Sequence, residues 1–374
     1  METKVRIALL VPGGVGENDN IPALLDLLCR LGEYYDMSIY SFSKLAIHPG
    51  LAARTCTVTF APALIEASSV LKSLYFLWRI RKDSVRKKFG LVHGFWAMPQ
   101  GATAVLAGKL LGAPSIVSLL GGDVVYLPTI AYGSMKSFIH RIVVRWTVKT
   151  ADRATVLTDY QSRVMKSNRI SSASLFIIPF GADTAKFAFQ SRDIAATPRF
   201  GFIGNLNRVK DPYMLISTFS LLARKLDCSL TVVGPDILSG RAQEYARSLG
   251  VHDRIQWMGK VPHELIPSLL NSFDFLLLTS RYEGEGVVVM EAFASGVLVA
   301  GTRVGLLADA GDESITVDPG DAEGLAEKIL QLIREPARVH AMRVRNRQTS
   351  EEWRAERTSA EFRKLYEGLM QKKQ

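Results

Sequence analysis

The feature that most limits the fold of this chain is the alternation of short β-branched runs with helical stretches along nearly its whole length. In the first half the strand candidates are Val5–Val11, Met37–Tyr40, Leu91–His93, Ser115–Leu119, Arg153–Leu157 and Leu175–Pro179. In the second half they are Arg199–Ile203, Ser229–Val233, Ile255–Trp257, Phe275–Leu278, Val297–Ala300 and Ser314–Val317. Helical patterns such as Pro22–Leu31, Gln100–Leu111, Tyr213–Lys225, Arg241–Leu249, Pro262–Ser272 and Ala322–Arg334 fall between them. Such alternation implies α/β architecture, with parallel sheets joined by right-handed crossovers. Twelve strands are too many for one open sheet of ordinary width. An eight-stranded α/β barrel leaves about four of them over. The reading is two facing Rossmann-like, doubly wound domains, with ligands outside the strand C-termini and so in an inter-domain cleft. The segment Phe187–Pro198 has no apolar period and ends in proline. Domains are therefore expected at 1–188 and 199–350, with a linker at 189–198. A charged helical tail follows at 351–374, free to pack back on the N-terminal domain.

Between the strands Phe275–Leu278 and Val297–Ala300 lies SRYEGEGVVVMEAFASG, Ser280 to Gly296. Gly284 and Gly286 let the backbone approach a ligand, and a helix is predicted directly behind Gly286. Free N–H groups and the helix dipole favour a phosphate at such a place. Glu283 in the turn and Glu291 in the helix are acceptors for hydroxyl groups. Roughly one pair with that spacing is expected by chance in a chain with this glutamate content, so the context carries the signal. A phosphate site beside hydroxyl acceptors describes a nucleotide sugar.

At 374 residues, 48% hydrophobic and 22% charged, the chain has the make-up of a soluble protein with two cores. Cys29, Cys56 and Cys228 are odd in number and scattered, as reduced thiols of a cytoplasmic protein would be. No apolar run has transmembrane length. Ile7–Val11 is too short for a signal peptide and reads as the first strand. The net charge of +10 sits in one half: residues 1–190 hold 22 Lys and Arg against 12 Asp and Glu, whereas residues 191–374 hold 24 of each. That asymmetry fits an anionic partner of the N-terminal half or a solubilising surface.

The first strand opens into PGGVGEN, where Gly13, Gly14 and Gly16 form a loop of the kind that cradles phosphate. The pattern is not G-x-G-x-x-G and no acid ends the second strand, so a nicotinamide cofactor is disfavoured. The second half opens with a strand and GNLNRVKD. Lys210 precedes a helix begun by Asp211 and Pro212, a cap with proline at the first helical position. A lysine there can reach a diphosphate, with Arg208 the alternate cation. His93 ends a strand and is either a functional group or a satisfied structural one. The other histidines show no metal or triad spacing, and no metal or cofactor is expected.

GFIGNLNRVKD, VVGPD and IQWMGKVPHELIPSLLNSFDFLLLTSRYEGEGVVVMEAFASGVLVAGTRVG resemble the C-terminal half of a family 4 retaining glycosyltransferase (glycosyl transferases group 1) with the GT-B fold. PGGVGEN, LVHGFWAMPQG, LLGGDV, ADRATVLTD and IIPFGAD follow the same family in order and spacing, more loosely. The resemblance covers nearly the whole chain. It implies a metal-independent transfer with retention, the acceptor attacking from the face the diphosphate leaves. It implies that Glu291 holds the donor ribose, Glu283 meets the sugar, and the N–H groups of Gly286 and Val287 meet the diphosphate or sugar. Lys210 would neutralise the β-phosphate as it departs, and Gly14 and Gly16 would complete the phosphate cradle. Four positions depart from the pattern. Asn205 stands where an arginine is usual, with Arg208 a substitute. Phe95 replaces the second histidine of H-x-H after His93. Glu285 replaces an apolar residue in the turn and is expected to select a sugar hydroxyl. Leu120 replaces the histidine ahead of Gly121, Gly122 and Asp123, leaving Asp123 to bind acceptor or sugar.

The segment Ser68–Gly90 carries an apolar helical stripe (Val70, Leu71, Leu74, Leu77, Trp78, Val85) beside a basic cluster, and Lys136, Arg141, Arg145 and Lys149 add a second basic stretch. The stripe is either core-packed with a solvated basic end or a contact with an anionic membrane surface. No nucleic-acid motif accompanies the charge. The expected activity is transfer of a sugar from a UDP- or GDP-sugar to a glycan, glycolipid or lipid-linked acceptor. It would act in the cytoplasm, with peripheral attachment to the inner membrane face left open. A nucleotide-sugar epimerase of the same fold and a catalytically weakened nucleotide-sugar-binding protein are the alternatives.

Overall fold

Two all-parallel sheets organise the chain in the computed structural model, which describes residues 4–15, 21–44, 46–54, 56–190, 192–311 and 315–371. The contacts divide it into one unit of Met1–Phe180 with Ala355–Gln374 and another of Gly181–Arg354.

In the first unit the strands are β1 (Arg6–Val11), β2 (Asp36–Ser41), β3 (Cys56–Phe60), β4 (Leu91–Phe95), β5 (Ser115–Ser118), β6 (Arg153–Val156) and β7 (Leu175–Ile177). They lie in the order β3-β2-β1-β4-β5-β6-β7. The helices are α1 (Pro22–Leu31), α2 (Pro49–Ala52), α3 (Ser69–Arg86), α4 (Ala102–Leu111), α5 (Phe138–Thr150) and α6 (Asp159–Ser167). The central strands are buried on both faces, so they read as continuous apolar runs rather than alternating ones. β3 was not expected. As an edge strand pairing only with β2 it is half-buried, and CTVTF lacks the apolar run of its neighbours.

The second unit holds β8 (Arg199–Ile203), β9 (Ser229–Val233), β10 (Ile255–Gly259), β11 (Phe275–Leu278), β12 (Leu298–Thr302) and β13 (Ile315–Val317), in the order β10-β9-β8-β11-β12-β13. Its helices are α7 (Pro212–Ala223), α8 (Arg241–Ser248), α9 (Ile266–Ser272), α10 (Val287–Ser295), α11 (Ala322–Ile333) and α12 (Pro336–Glu352). Asp211 caps α7 by accepting from Met214 N–H at 3.2 Å, with Pro212 at the first helical position. One core runs from Phe200 and Phe219 through Phe275 to Leu325 and Ile329. The ring centroids of Phe200 and Phe275 are 5.4 Å apart.

The chain then returns to the first unit as α13 (Ala355–Gln371), which packs on α1 and buries Phe362 and Tyr366. Because α12 runs on to Glu352, this last helix begins at Ala355. Residues 181–188 group with the second unit, where Ala182 N–H donates to the Trp353 carbonyl.

Candidate functional site

In the second unit two loops at strand C-termini are stitched together. Arg281 N–H donates to the Val209 carbonyl at 2.7 Å, and Thr279 Oγ1 donates to the Lys210 carbonyl at 2.9 Å. The Arg281 guanidinium pairs with the buried Asp211 at 2.7 Å. These bonds hold the β8–α7 loop against the β11–α10 loop, as neighbouring strands of one sheet allow. Lys210 Nζ is thereby placed 2.6 Å from Glu283 Oε1, which also accepts from Ser280 Oγ at 2.5 Å. Asn207 Oδ1 accepts from Lys210 N–H at 3.1 Å and shapes the turn that presents the lysine.

Gly286 caps α10 with φ 83°, a left-handed conformation that side-chain-bearing residues rarely take. The N–H groups of Gly286 and Val287 start the helix and so lack intrahelical acceptors. Behind the turn, Gly305 permits a close approach: a Cβ there would lie 2.4 Å from the Glu285 carbonyl oxygen. Leu306 N–H donates to that same oxygen at 2.8 Å. Gly305 was not singled out from the sequence, because its partner is 20 residues away. Glu291, one turn into α10, is buried and its Oε1 lies 3.0 Å from His263 Nε2. His263 Nδ1 lies 2.9 Å from Lys186 Nζ, so Nδ1 accepts and Nε2–H donates to the carboxylate. His263 was passed over as lacking any meaningful spacing. The contact is made by a loop 28 residues away and leaves no sequence signal.

Asn205 and Arg208 are exposed in the β8–α7 loop; neither side chain has a hydrogen bond or ion pair among the described residues. Glu285 departs from expectation. It is buried, and its carboxylate accepts from the Gly181 N–H at 3.2 Å, so it braces the backbone instead of facing a sugar hydroxyl.

In the first unit Gly14 (φ 75°) lies in the loop after β1, and its carbonyl accepts from Ile21 N–H at 3.3 Å. Gly16 lies outside the described residues. His93, in the adjacent β4, is fully buried. Its Nδ1 lies 2.7 Å from the Tyr366 hydroxyl and its Nε2 2.8 Å from Ser118 Oγ. Burial pushes its pKa down to about 3, so the ring is neutral. With both nitrogens hydrogen-bonded and the ring fully buried, this geometry fits the structural of the two readings of His93. The Phe95 ring lies against His93, centroids 4.1 Å apart and tilted by 32°, and is likewise fully buried.

Asp123 is also buried, and accepts from Ala97 N–H at 2.9 Å and Leu120 N–H at 3.2 Å. Burial raises its pKa to about 6, against the opposing pull of those N–H groups. It lies beneath an open cleft of 720 Å³ lined by Trp96, Gly122, Tyr132, Lys136 and His140. Trp96 holds φ 71°, a strained value for a tryptophan. The structure thus groups Lys210, Glu283, Gly286, Val287 and Glu291 in one unit. In the other, His93 lies in the middle of β4, while Gly14 and Asp123 lie in the loops that follow β1 and β5, the strands on either side of it.

The family model described as glycosyl transferases group 1 matches residues 197–335. N-acetyl-alpha-D-glucosaminyl L-malate synthase of Bacillus anthracis is 24% identical over 290 residues, 75% of this chain and 75% of that one. Sucrose-phosphate synthase from Thermosynechococcus elongatus superposes with a TM-score of 0.79 at 18% identity, covering 98% of this chain and 99% of that chain. Anabaena HepE in complex with UDP-glucose superposes with a TM-score of 0.77 at 15% identity, covering 97% and 100%. At these identities the structural likeness speaks to the fold.

Proposed function

Because the chain belongs to the glycosyl transferases group 1 family (GT4) and has the GT-B fold, we propose that it moves a sugar from a UDP- or GDP-sugar to a glycan, glycolipid or lipid-linked acceptor, with retention and without a metal. The observation that carries this reading is the Lys210–Glu283 pair, 2.6 Å apart, beside the free N-terminus of α10. A departing nucleoside diphosphate gathers negative charge on its β-phosphate. Lys210 meets that charge by turning from Glu283, and the N–H groups of Gly286 and Val287 meet it without reorganisation. Glu283, released from the lysine, accepts a hydroxyl of the transferred sugar. Glu291, held in place by His263, accepts from the ribose. Exposed Asn205 and Arg208 flank the loop, Arg208 supplying the cation Asn205 lacks. Gly14 and Gly16 enter as phosphate contacts on the family resemblance.

The cleft above Asp123 supports a transferase over an epimerase, since an epimerase needs no acceptor site. Lys136 and His140 at its rim suit an anionic acceptor, and the basic helix within 68–90 supplies the membrane contact a lipid-linked acceptor needs. Nucleotide release from a panel of UDP- and GDP-sugars, measured with and without saccharide and lipid-linked acceptors, tests the proposal. Acceptor-dependent release supports it. A changed sugar without release indicates an epimerase, and binding without turnover indicates a binding protein.

A further inference from the structure

Three neighbouring helices of the first unit carry apolar side chains that its core does not use. α3, α4 and α5 make the successive crossovers β3→β4, β4→β5 and β5→β6, which places them on one face of the sheet. α4 packs against both of the others. On α3 the core side is Phe76 and Ile80, fully buried. At about 100° per residue Leu74, Trp78 and Val85 fall on the opposite side, and they are 58%, 55% and 85% exposed. α5 repeats the arrangement, with Val144 and Val148 inside and Phe138, Ile142 and Trp146 turned outward. Leu106 and Leu110 of α4 are exposed between them. Within Ser68–Gly90, Leu77 of the stripe packs on the core, whereas Val70, Leu71, Leu74, Trp78 and Val85 do not. Large apolar side chains exposed together on three neighbouring helices are unusual on a protein that meets only water.

Charge says what covers it. Between residues 64 and 149 there are twelve Lys and Arg and three acids, and two of the acids, Asp83 and Asp123, are buried. Lys82 Nζ lies 5.2 Å from the Trp78 ring centroid, and Lys109 Nζ of α4 lies 5.8 Å from that of Trp146 on α5. Each pair sets an apolar body beside a cation, the combination suited to the headgroup–acyl boundary. A symmetric contact with a second copy would bring these cations against one another. We propose that the α3–α4–α5 face docks the protein on an anionic lipid bilayer. The contact extends beyond the 68–90 segment to three helices, and it holds whether or not the chain transfers a sugar. No helix among the described residues is long and apolar enough to cross a membrane, so the attachment is to one surface.

The test is sedimentation of the full chain with vesicles of phosphatidylcholine alone and of phosphatidylcholine mixed with phosphatidylglycerol. Binding to the mixed vesicles, reversed by salt, is expected. Lys82→Ala with Lys149→Ala should weaken it about thirtyfold, at roughly a factor of five for each lost cation. Trp78→Ser with Trp146→Ser, both at exposed sites, should weaken it by about tenfold or more while leaving the circular dichroism unchanged. Absence of binding, equal binding to neutral vesicles, or unchanged binding by both variants would overturn the proposal. So would a concentration-dependent dimer, seen by light scattering, that the tryptophan variant dissociates. None of these readouts depends on turnover.

Discussion

Tyr366 of α13 places its hydroxyl 2.7 Å from Nδ1 of His93 in β4, joining residues 273 apart in sequence. Both side chains are fully buried. The last helix of the chain therefore completes the hydrogen bonding of a histidine at the heart of the N-terminal sheet. Tyr366→Phe keeps the ring packing and leaves Nδ1 without its partner. It should cost about 1–3 kcal/mol of stability in urea unfolding, with little change in donor binding. A loss of donor affinity larger than that of stability would place His93 in the site after all.

Lys210→Ala should lower kcat by a factor of roughly 10²–10³ at saturating donor, because the lysine acts most strongly on charge that develops as the bond breaks. Donor affinity, read by calorimetry, should fall much less. An unchanged kcat would remove Lys210 from the leaving-group role.

His263→Ala should weaken donor binding by about tenfold, since the imidazole orients Glu291 without touching the ligand itself. Glu291→Ala should abolish donor binding. His263→Gln can still donate to the carboxylate and should recover part of the loss. Equal effects of the alanine and glutamine variants would count against an orienting hydrogen bond.

Asp123 and His93 should act oppositely on stability across acid pH. Asp123 is raised to about 6 from the ordinary 3.8 of an aspartate, so the native state binds its proton more tightly than the unfolded chain. Its contribution is full below about pH 4 and is lost as pH rises towards 6. Asp123→Asn should remove that slope, shifting the stability difference by up to about 3 kcal/mol over the interval in pH-resolved urea titrations. His93, lowered from 6.5 to about 3, contributes above pH 6.5 and loses that contribution as pH falls. A parallel wild-type and Asp123→Asn profile would show that the carboxyl is not raised.

Much of the architecture was legible because of how parallel sheets are buried. A strand covered on both faces must be apolar throughout, so Ile7–Val11 and Phe275–Leu278 stand out as uninterrupted runs. β3 escaped because an edge strand is under no such demand. The cap of α7 was readable for a local reason, since Asp211 and the N–H it accepts from are three residues apart. The turn at Gly286 was readable too, as a left-handed φ beside a helix start narrows the choice of residue.

Local chemistry thus determined the strands, the caps and the turn that fits a phosphate. Only the tertiary structure decided the partners of the charged and ring-bearing groups. Glu285 turned inward to Gly181, His263 came to Glu291, Tyr366 closed over His93, and α3 offered Phe76 rather than Trp78 to its core. The physical reason is common to all four. A cap or a strand is satisfied within a few residues, whereas a buried polar atom or an amphipathic face is satisfied by whatever distant element the fold brings to it, and nothing in the neighbouring sequence specifies which.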